Sequence, residues 1–115
     1  NMYDVVYKAN SVGRKVSKPG ISMHDLDDNV MKILEASNFK QYIIHKTGHG
    51  LGMDVHEDPY VMRKNYELLE EGMVITIEPG LYKENHLGIR IEDDVLITNN
   101  SCESLTTFSR ELKII

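Results

Sequence analysis

Ile43-Ile44-His45-Lys46-Thr47-Gly48-His49-Gly50-Leu51-Gly52-Met53-Asp54-Val55-His56-Glu57-Asp58-Pro59 holds three of the chain's five histidines, and glycine stands at every second position from 48 to 52. Glycines at period two leave one side of an extended segment bare, so another backbone or a ligand can approach it closely. The residues between them, His49 and Leu51, project to the other side. A bare-sided segment carrying His49, with His56 seven residues on, is shaped to touch something.

Upstream of this stretch the pattern is helical. Met2, Val5, Val6, Ala9, Val12 and Val16 recur at helical spacing with Asp4, Lys8, Asn10 and Arg14 between them, and Lys18-Pro19-Gly20 closes the segment with a turn. Ser22 reads as the N-cap of a second helix, with Asp25 in capping-box position and Leu26, Val30, Ile33 and Leu34 as its apolar stripe, fraying near Ser37-Asn38. Asp25, Asp27 and Asp28 beside His24 suit the positive end of the helix dipole and need no metal to explain them.

After Asn38 the pattern turns to strand. Tyr42-Ile43-Ile44-His45 is a short apolar run into the glycine stretch, and residues 65–71 form a helical turn or a loop that Gly72 ends. Met73-Val74-Ile75-Thr76-Ile77-Glu78 is rich in β-branched residues and reads as a strand that stops at Pro79-Gly80. Residues 87–98 read as one long strand with Ile89, Ile91, Val95 and Ile97 on a single face, and residues 102–107 hold a last short strand. The apolar tail Leu112-Lys113-Ile114-Ile115 has no assigned element. Two helices followed by an antiparallel sheet define an α+β class.

Composition narrows the function. The 115 residues allow one domain at most, with 27% charged residues and a formal net charge of −5. An acidic chain without a basic run carries no electrostatic footprint for nucleic acid, and no apolar run is long enough to span a bilayer. Cys102, the single cysteine, excludes an internal disulfide framework and suits a reducing compartment, so a cytoplasmic location is expected.

The carboxylates on the two long strands carry the chemistry. Glu78 and Glu92 lie fourteen residues apart, and a hairpin centred on Asn85 sets them directly opposite each other. Opposed like charges repel, with Cβ atoms about 4.5–5.5 Å apart. Alternation puts Arg90 on the face of Glu92, so either Arg90 neutralises the pair or a cation sits between the carboxylates. His49 adds an imidazole where glycine neighbours permit close approach. One imidazole with several carboxylates is a hard, oxygen-rich set that suits Mn²⁺ better than a closed structural zinc site. His56 joins the same site only if the chain bends near Gly52. His24 and His86 read as surface or packing residues.

Competing motifs fail. Gly48-His49-Gly50-Leu51-Gly52 is not the dinucleotide-binding G-x-G-x-x-G, and Pro59 stands where its helix would run. His56-Glu57-Asp58-Pro59-Tyr60 begins like the zinc-protease H-E-x-x-H but ends in tyrosine. Cys102, between Ser101 and Glu103, has no local cation to activate a thiolate.

Four separate motifs, in order and at matching spacing, resemble those of the pita-bread metallopeptidases. They are His45-Lys46-Thr47-Gly48-His49-Gly50-Leu51-Gly52, Val55-His56-Glu57-Asp58-Pro59, Gly72-Met73-Val74-Ile75-Thr76-Ile77-Glu78-Pro79-Gly80 and Arg90-Ile91-Glu92-Asp93. Within that group the chain is most similar to Xaa-Pro dipeptidases (prolidases) and aminopeptidase P. The resemblance implies a site of two divalent metal ions, manganese first and cobalt or zinc as alternatives. His49 and Glu78 would bind one ion and Glu92 would bridge both. Glu78 would also act as general base, His56 would stabilise the tetrahedral intermediate or contact the substrate, His45 would line the substrate pocket, and Arg90 would orient the site or the substrate carboxylate. It further implies that residues 1–115 are the C-terminal portion of the catalytic domain, with two aspartate ligands on a hairpin before Asn1 and little activity in this portion alone. A proline-containing dipeptide or peptide is the expected substrate and a homodimer the expected assembly, with no nucleic-acid or membrane partner. The alternative is a non-catalytic pita-bread module that binds proteins, as in the peptidase-like domain of a histone chaperone. Retention of His49, Glu78, Glu92 and His56 speaks for the enzyme.

Overall fold

Helix α1, Met2–Val16, starts at Asn1, whose side chain accepts the Asp4 amide while the Asp4 carboxylate reaches back to the cap, a complete capping box. Helix α2, Met23–Glu35, is capped by Ser22, whose hydroxyl accepts from the Asp25 amide at 3.0 Å. Both helices follow the periodicity of their apolar residues. Val6 and Ala9 of α1 and Met23, Leu26, Val30, Met31 and Leu34 of α2 are buried in one core with Ile75, Ile77, Val95 and Ile97 of the sheet. Gly13 lets the layers meet: a Cβ there would stand 2.7 Å from Ile77 Cγ2 and 3.0 Å from Val30 Cγ2. The computed structural model describes residues 1–43, 47–50, 57–83 and 87–105. His45, Leu51, His56, His86, the 84–86 connection and the tail at 112–115 lie outside the described residues.

Among the described residues seven strands follow: β1 Gly48–Gly50, β2 Glu57–Val61, β3 Val74–Ile77, β4 Gly80–Lys83, β5 Leu87–Arg90, β6 Asp93–Ile97 and β7 Cys102–Ser104. They form a five-stranded antiparallel sheet in the order β2-β1-β3-β6-β7 and a two-stranded sheet of β4 and β5. Strand β2 has no counterpart in the sequence reading; it carries Pro59 and lies at the sheet edge, where the missing N–H of proline is tolerated.

Residues 87–98 are not one strand. The chain leaves the ladder at Ile91 and Glu92, so β5 pairs with β4 in one sheet and β6 with β3 in the other. The expected apolar face survives the break, since Ile89, Ile91, Val95 and Ile97 are all buried. Lys40–Tyr42 is a 3-10 turn rather than the start of a strand, and Ile43 makes an isolated bridge to Leu81; the rest of the apolar run at 42–45 lies outside the described residues. Residues 65–71 are a loop, held to α2 by the Ser22–Leu68 bridge.

Candidate metal centre

The two ladders share one register. Ile77 faces Asp93 and Gly80 faces Arg90, which sets Glu78 and Glu92 opposite each other where the sheets part. The break is why both glutamates sit there: their backbones have left regular pairing, and the Glu78 amide donates instead to Thr47 O at 2.6 Å. On the inner side, Ile77, Asp93 and Val95 pack toward the helices and are buried. The other face of the same strands presents Thr76 and Asp94, which lie opposite each other.

His49 is brought to this face by β1. The backbone of Gly48 passes so close to β3 that a Cβ would overlap the Thr76 carbonyl oxygen, at 1.8 Å. Glycine is therefore obligatory at 48, the close backbone approach that the alternating glycines imply. The His49 amide donates to Thr76 Oγ1 at 3.0 Å, and its ring is buried. Nδ1 stands 2.9 Å from Gly50 O. A carbonyl only accepts, so Nδ1 carries a proton, and Nε2 stands 3.7 Å from Glu78 Oε2. That separation is too long for a hydrogen bond. It approaches the roughly 3–3.5 Å between two ligands of one divalent cation with bonds of about 2.1 Å. An imidazole nitrogen and a carboxylate oxygen at this spacing fit a shared metal ion.

Glu92 lies 3.7 Å from Arg90 Nη2. This contact reaches one member of the glutamate pair and leaves room for a cation between the two carboxylates. Asp94, absent from the sequence-based site list, belongs to the same surroundings. Burial, and then Glu92 and Asp93, push its carboxyl above the ordinary range, while His49 pulls it down. Asp93 serves structure instead: it is fully buried, accepts from Ser104 Oγ at 3.1 Å and stands 3.6 Å from Arg14 Nε. Among the described residues no three His, Cys, Asp or Glu side chains close into a metal cage by themselves.

Asp27 is the carboxylate that sequence reasoning assigned only to the helix dipole. It is buried and accepts from Thr47 N at 3.0 Å and Thr47 Oγ1 at 2.6 Å. Burial raises its pKa, with both Thr47 bonds and Arg63 opposing. It anchors the residue that leads into Gly48 and His49. Asp28 joins Lys32 at 3.0 Å and Arg63 at 3.1 Å, and His24 stacks on Tyr66 and accepts from the Lys64 amide, so this end of α2 is structural. Cys102 donates to Arg14 O at 3.1 Å; burial raises its thiol pKa despite nearby Arg14, which leaves a poor nucleophile.

The chain belongs to metallopeptidase family M24, whose model matches residues 1–99. Its fold is the pita-bread fold of the prolidases. The chain is 41% identical over 111 residues to the Xaa-Pro dipeptidase of Pyrococcus furiosus, covering 96% of this chain and 32% of that protein. The prolidase of Pyrococcus horikoshii OT3 matches with a TM-score of 0.92 and 42% identity, over 97% of this chain and 32% of that one. The X-Pro aminopeptidase of Thermotoga maritima MSB8 matches with a TM-score of 0.91 and 35% identity, over 96% and 31%. The chain spans about a third of the length of the curated relatives it matches. Among the described residues no helix is long and apolar enough to cross a membrane.

Proposed function

We propose that residues 1–115 are part of a pita-bread catalytic domain whose full-length protein hydrolyses Xaa-Pro peptide bonds with the help of divalent metal. The observation that carries this reading is the spacing of His49 Nε2 and the Glu78 carboxylate, 3.7 Å, with the other ring nitrogen on Gly50 O. The names of the relatives, a dipeptidase and an X-Pro aminopeptidase, support the substrate class.

In this reading His49 and Glu78 would hold one divalent ion, and Glu92 would be a ligand to it and to a second. The hard donor set favours Mn²⁺, with Co²⁺ or Zn²⁺ as alternatives. When bound, such ions lower the pKa of water and polarise a carbonyl. Glu78 takes the proton released by the attacking water. Arg90 orients the carboxylate of a short substrate. In support, its Nε is buried without a hydrogen-bond acceptor among the described residues, a donor that substrate or another part of the protein would satisfy. His45 at the substrate pocket and His56 at the tetrahedral intermediate rest on the family resemblance.

The test is metal content and Xaa-Pro turnover measured together on full-length protein. His49→Ala, Glu78→Ala and Glu92→Ala should each lower metal occupancy. His56→Ala should keep occupancy near normal and lower kcat, since its role is on the transition state. Absence of metal from the wild-type protein, or loss of metal in His56→Ala as complete as in His49→Ala, refutes these roles.

A further inference from the structure

Asn10 lies on α1 at a position the helical pattern assigns to the polar residues, yet its side chain is fully buried. Its Nδ2 donates to Ile77 O at 3.2 Å and to Ile91 O at 3.1 Å. These two carbonyls belong to the peptide units that lead into Glu78 and Glu92. They lie where the β3–β6 ladder ends at Ile77 and Asp93 and the β4–β5 ladder has not yet begun. Regular strand pairing is interrupted at that point, where one long backbone bond, Ile91 N to Pro79 O at 3.3 Å, joins the two chains. A carboxamide has two N–H groups, one for each carbonyl. Its Oδ1 accepts from Arg14 Nε at 2.9 Å, and because a guanidinium only donates, this bond decides which end of the amide faces the carbonyls. Arg14 Nε stands in turn 3.6 Å from Asp93 Oδ2, and Asp93 accepts from Ser104 Oγ.

We propose that Asn10 is a positioning residue for the metal-binding glutamates: one buried amide clamps the Ile77–Glu78 and Ile91–Glu92 peptide units and so sets the spacing of the two carboxylates. The inference rests on the metal-site reading above. Ligands that share ions must be held to within about half an ångström, and donors behind the ligands supply that precision. Loss of such a supporting partner costs about 10- to 100-fold in metal affinity or activity.

The experiment uses full-length protein freed of metal and titrated with Mn²⁺, the unbound ion being followed by electron paramagnetic resonance, together with kcat and KM on an Xaa-Pro dipeptide. Asn10→Asp keeps the shape but turns an acceptor toward both carbonyls, and Asn10→Leu removes both donors. Ser17→Ala is the control: it deletes a buried hydrogen bond to Gly13 O just past the end of the same helix and touches neither carbonyl. Asn10→Asp and Asn10→Leu should weaken Mn²⁺ binding about 10- to 100-fold and lower kcat with KM changed less than about threefold. Asn10→Gln, which keeps the donor pair, should retain more affinity than Asn10→Leu, and Ser17→Ala should bind Mn²⁺ like wild type even where its thermal stability falls as far. If Asn10→Leu does not fold, Asn10→Asp and Asn10→Gln carry the comparison. Folded Asn10 variants with wild-type Mn²⁺ affinity, or a Ser17→Ala loss equal to theirs, overturn the positioning role while leaving the metal site standing. A wild-type protein that takes up no Mn²⁺ overturns both.

Discussion

Replacing Thr47 by valine removes one hydroxyl and almost no volume, at a residue with no exposed surface. The lost bond is the 2.6 Å contact to Asp27 Oδ1, short enough for a hydroxyl donating to an ionised carboxylate. Bonds to charged groups contribute about 1.5–3 kcal/mol, and the extra methyl recovers part of that, so a net cost of about 1–2.5 kcal/mol is expected at neutral pH. The remaining Thr47 amide bond at 3.0 Å and the Arg63 backbone keep Asp27 partly satisfied, which is why the cost does not reach that of an orphaned charge. The cost depends on pH. Asp27 already titrates above the ordinary carboxylate value because burial disfavours its charge, and the Thr47 hydroxyl opposes that shift. Without the hydroxyl the folded pKa rises further while the unfolded value is unchanged. The wild-type advantage is therefore full above both folded pKa values and shrinks as pH falls through the window between them. Below that window only a neutral bond is lost, about 0.5–1.5 kcal/mol. Urea unfolding of full-length wild type and Thr47→Val, repeated from pH 8 downward, measures the difference. A cost under about 0.5 kcal/mol at neutral pH, or one that stays flat or grows on acidification, refutes an ionised Asp27 as the anchor of Thr47.

Two glycine substitutions test the backbone approaches. Gly48→Ala drives a Cβ into the Thr76 carbonyl and should cost more than about 3 kcal/mol, seen as loss of soluble protein or a collapse of thermal stability; wild-type stability would show that β1 does not cross β3 as described. Gly13→Ala meets only side-chain methyls of Ile77 and Val30, so overpacking of about 1–3 kcal/mol competes with about 1 kcal/mol of helix propensity. A net loss of up to about 2 kcal/mol by urea unfolding is expected, and a gain would mean the helix can move off the sheet.

The helices and their ends were legible because their signals are local. Apolar spacing in residues 2–16 and 23–35 decides which face is buried, and Ser22 caps from within its own turn. Glu78 stands opposite Glu92 only if the hairpin is centred on Asn85, a condition the sequence left open at Pro79-Gly80 and the pairing of Ile77 with Asp93 and of Gly80 with Arg90 meets. The division of residues 87–98 was not legible, because the alternation of Ile89, Ile91, Val95 and Ile97 runs straight through the break. Asp27 and Asn10 were illegible for a related reason. A buried carboxylate near a helix start and a buried amide on a helix read like solvent-facing residues until their partners, 20, 67 and 81 residues away, are in place.

What the sequence by itself determined is the α+β class, the family resemblance and the identity of the candidate ligands His49, Glu78 and Glu92, all of which follow from residue type and near-neighbour spacing. Tertiary structure alone decided how those ligands are held: the imidazole of His49 by Gly50 O, the Glu78 amide by Thr47 O, and the peptide units of both glutamates by Asn10. Hydrogen bonds across a parted sheet join groups far apart in the chain. Burial makes each of them costly to leave unmade.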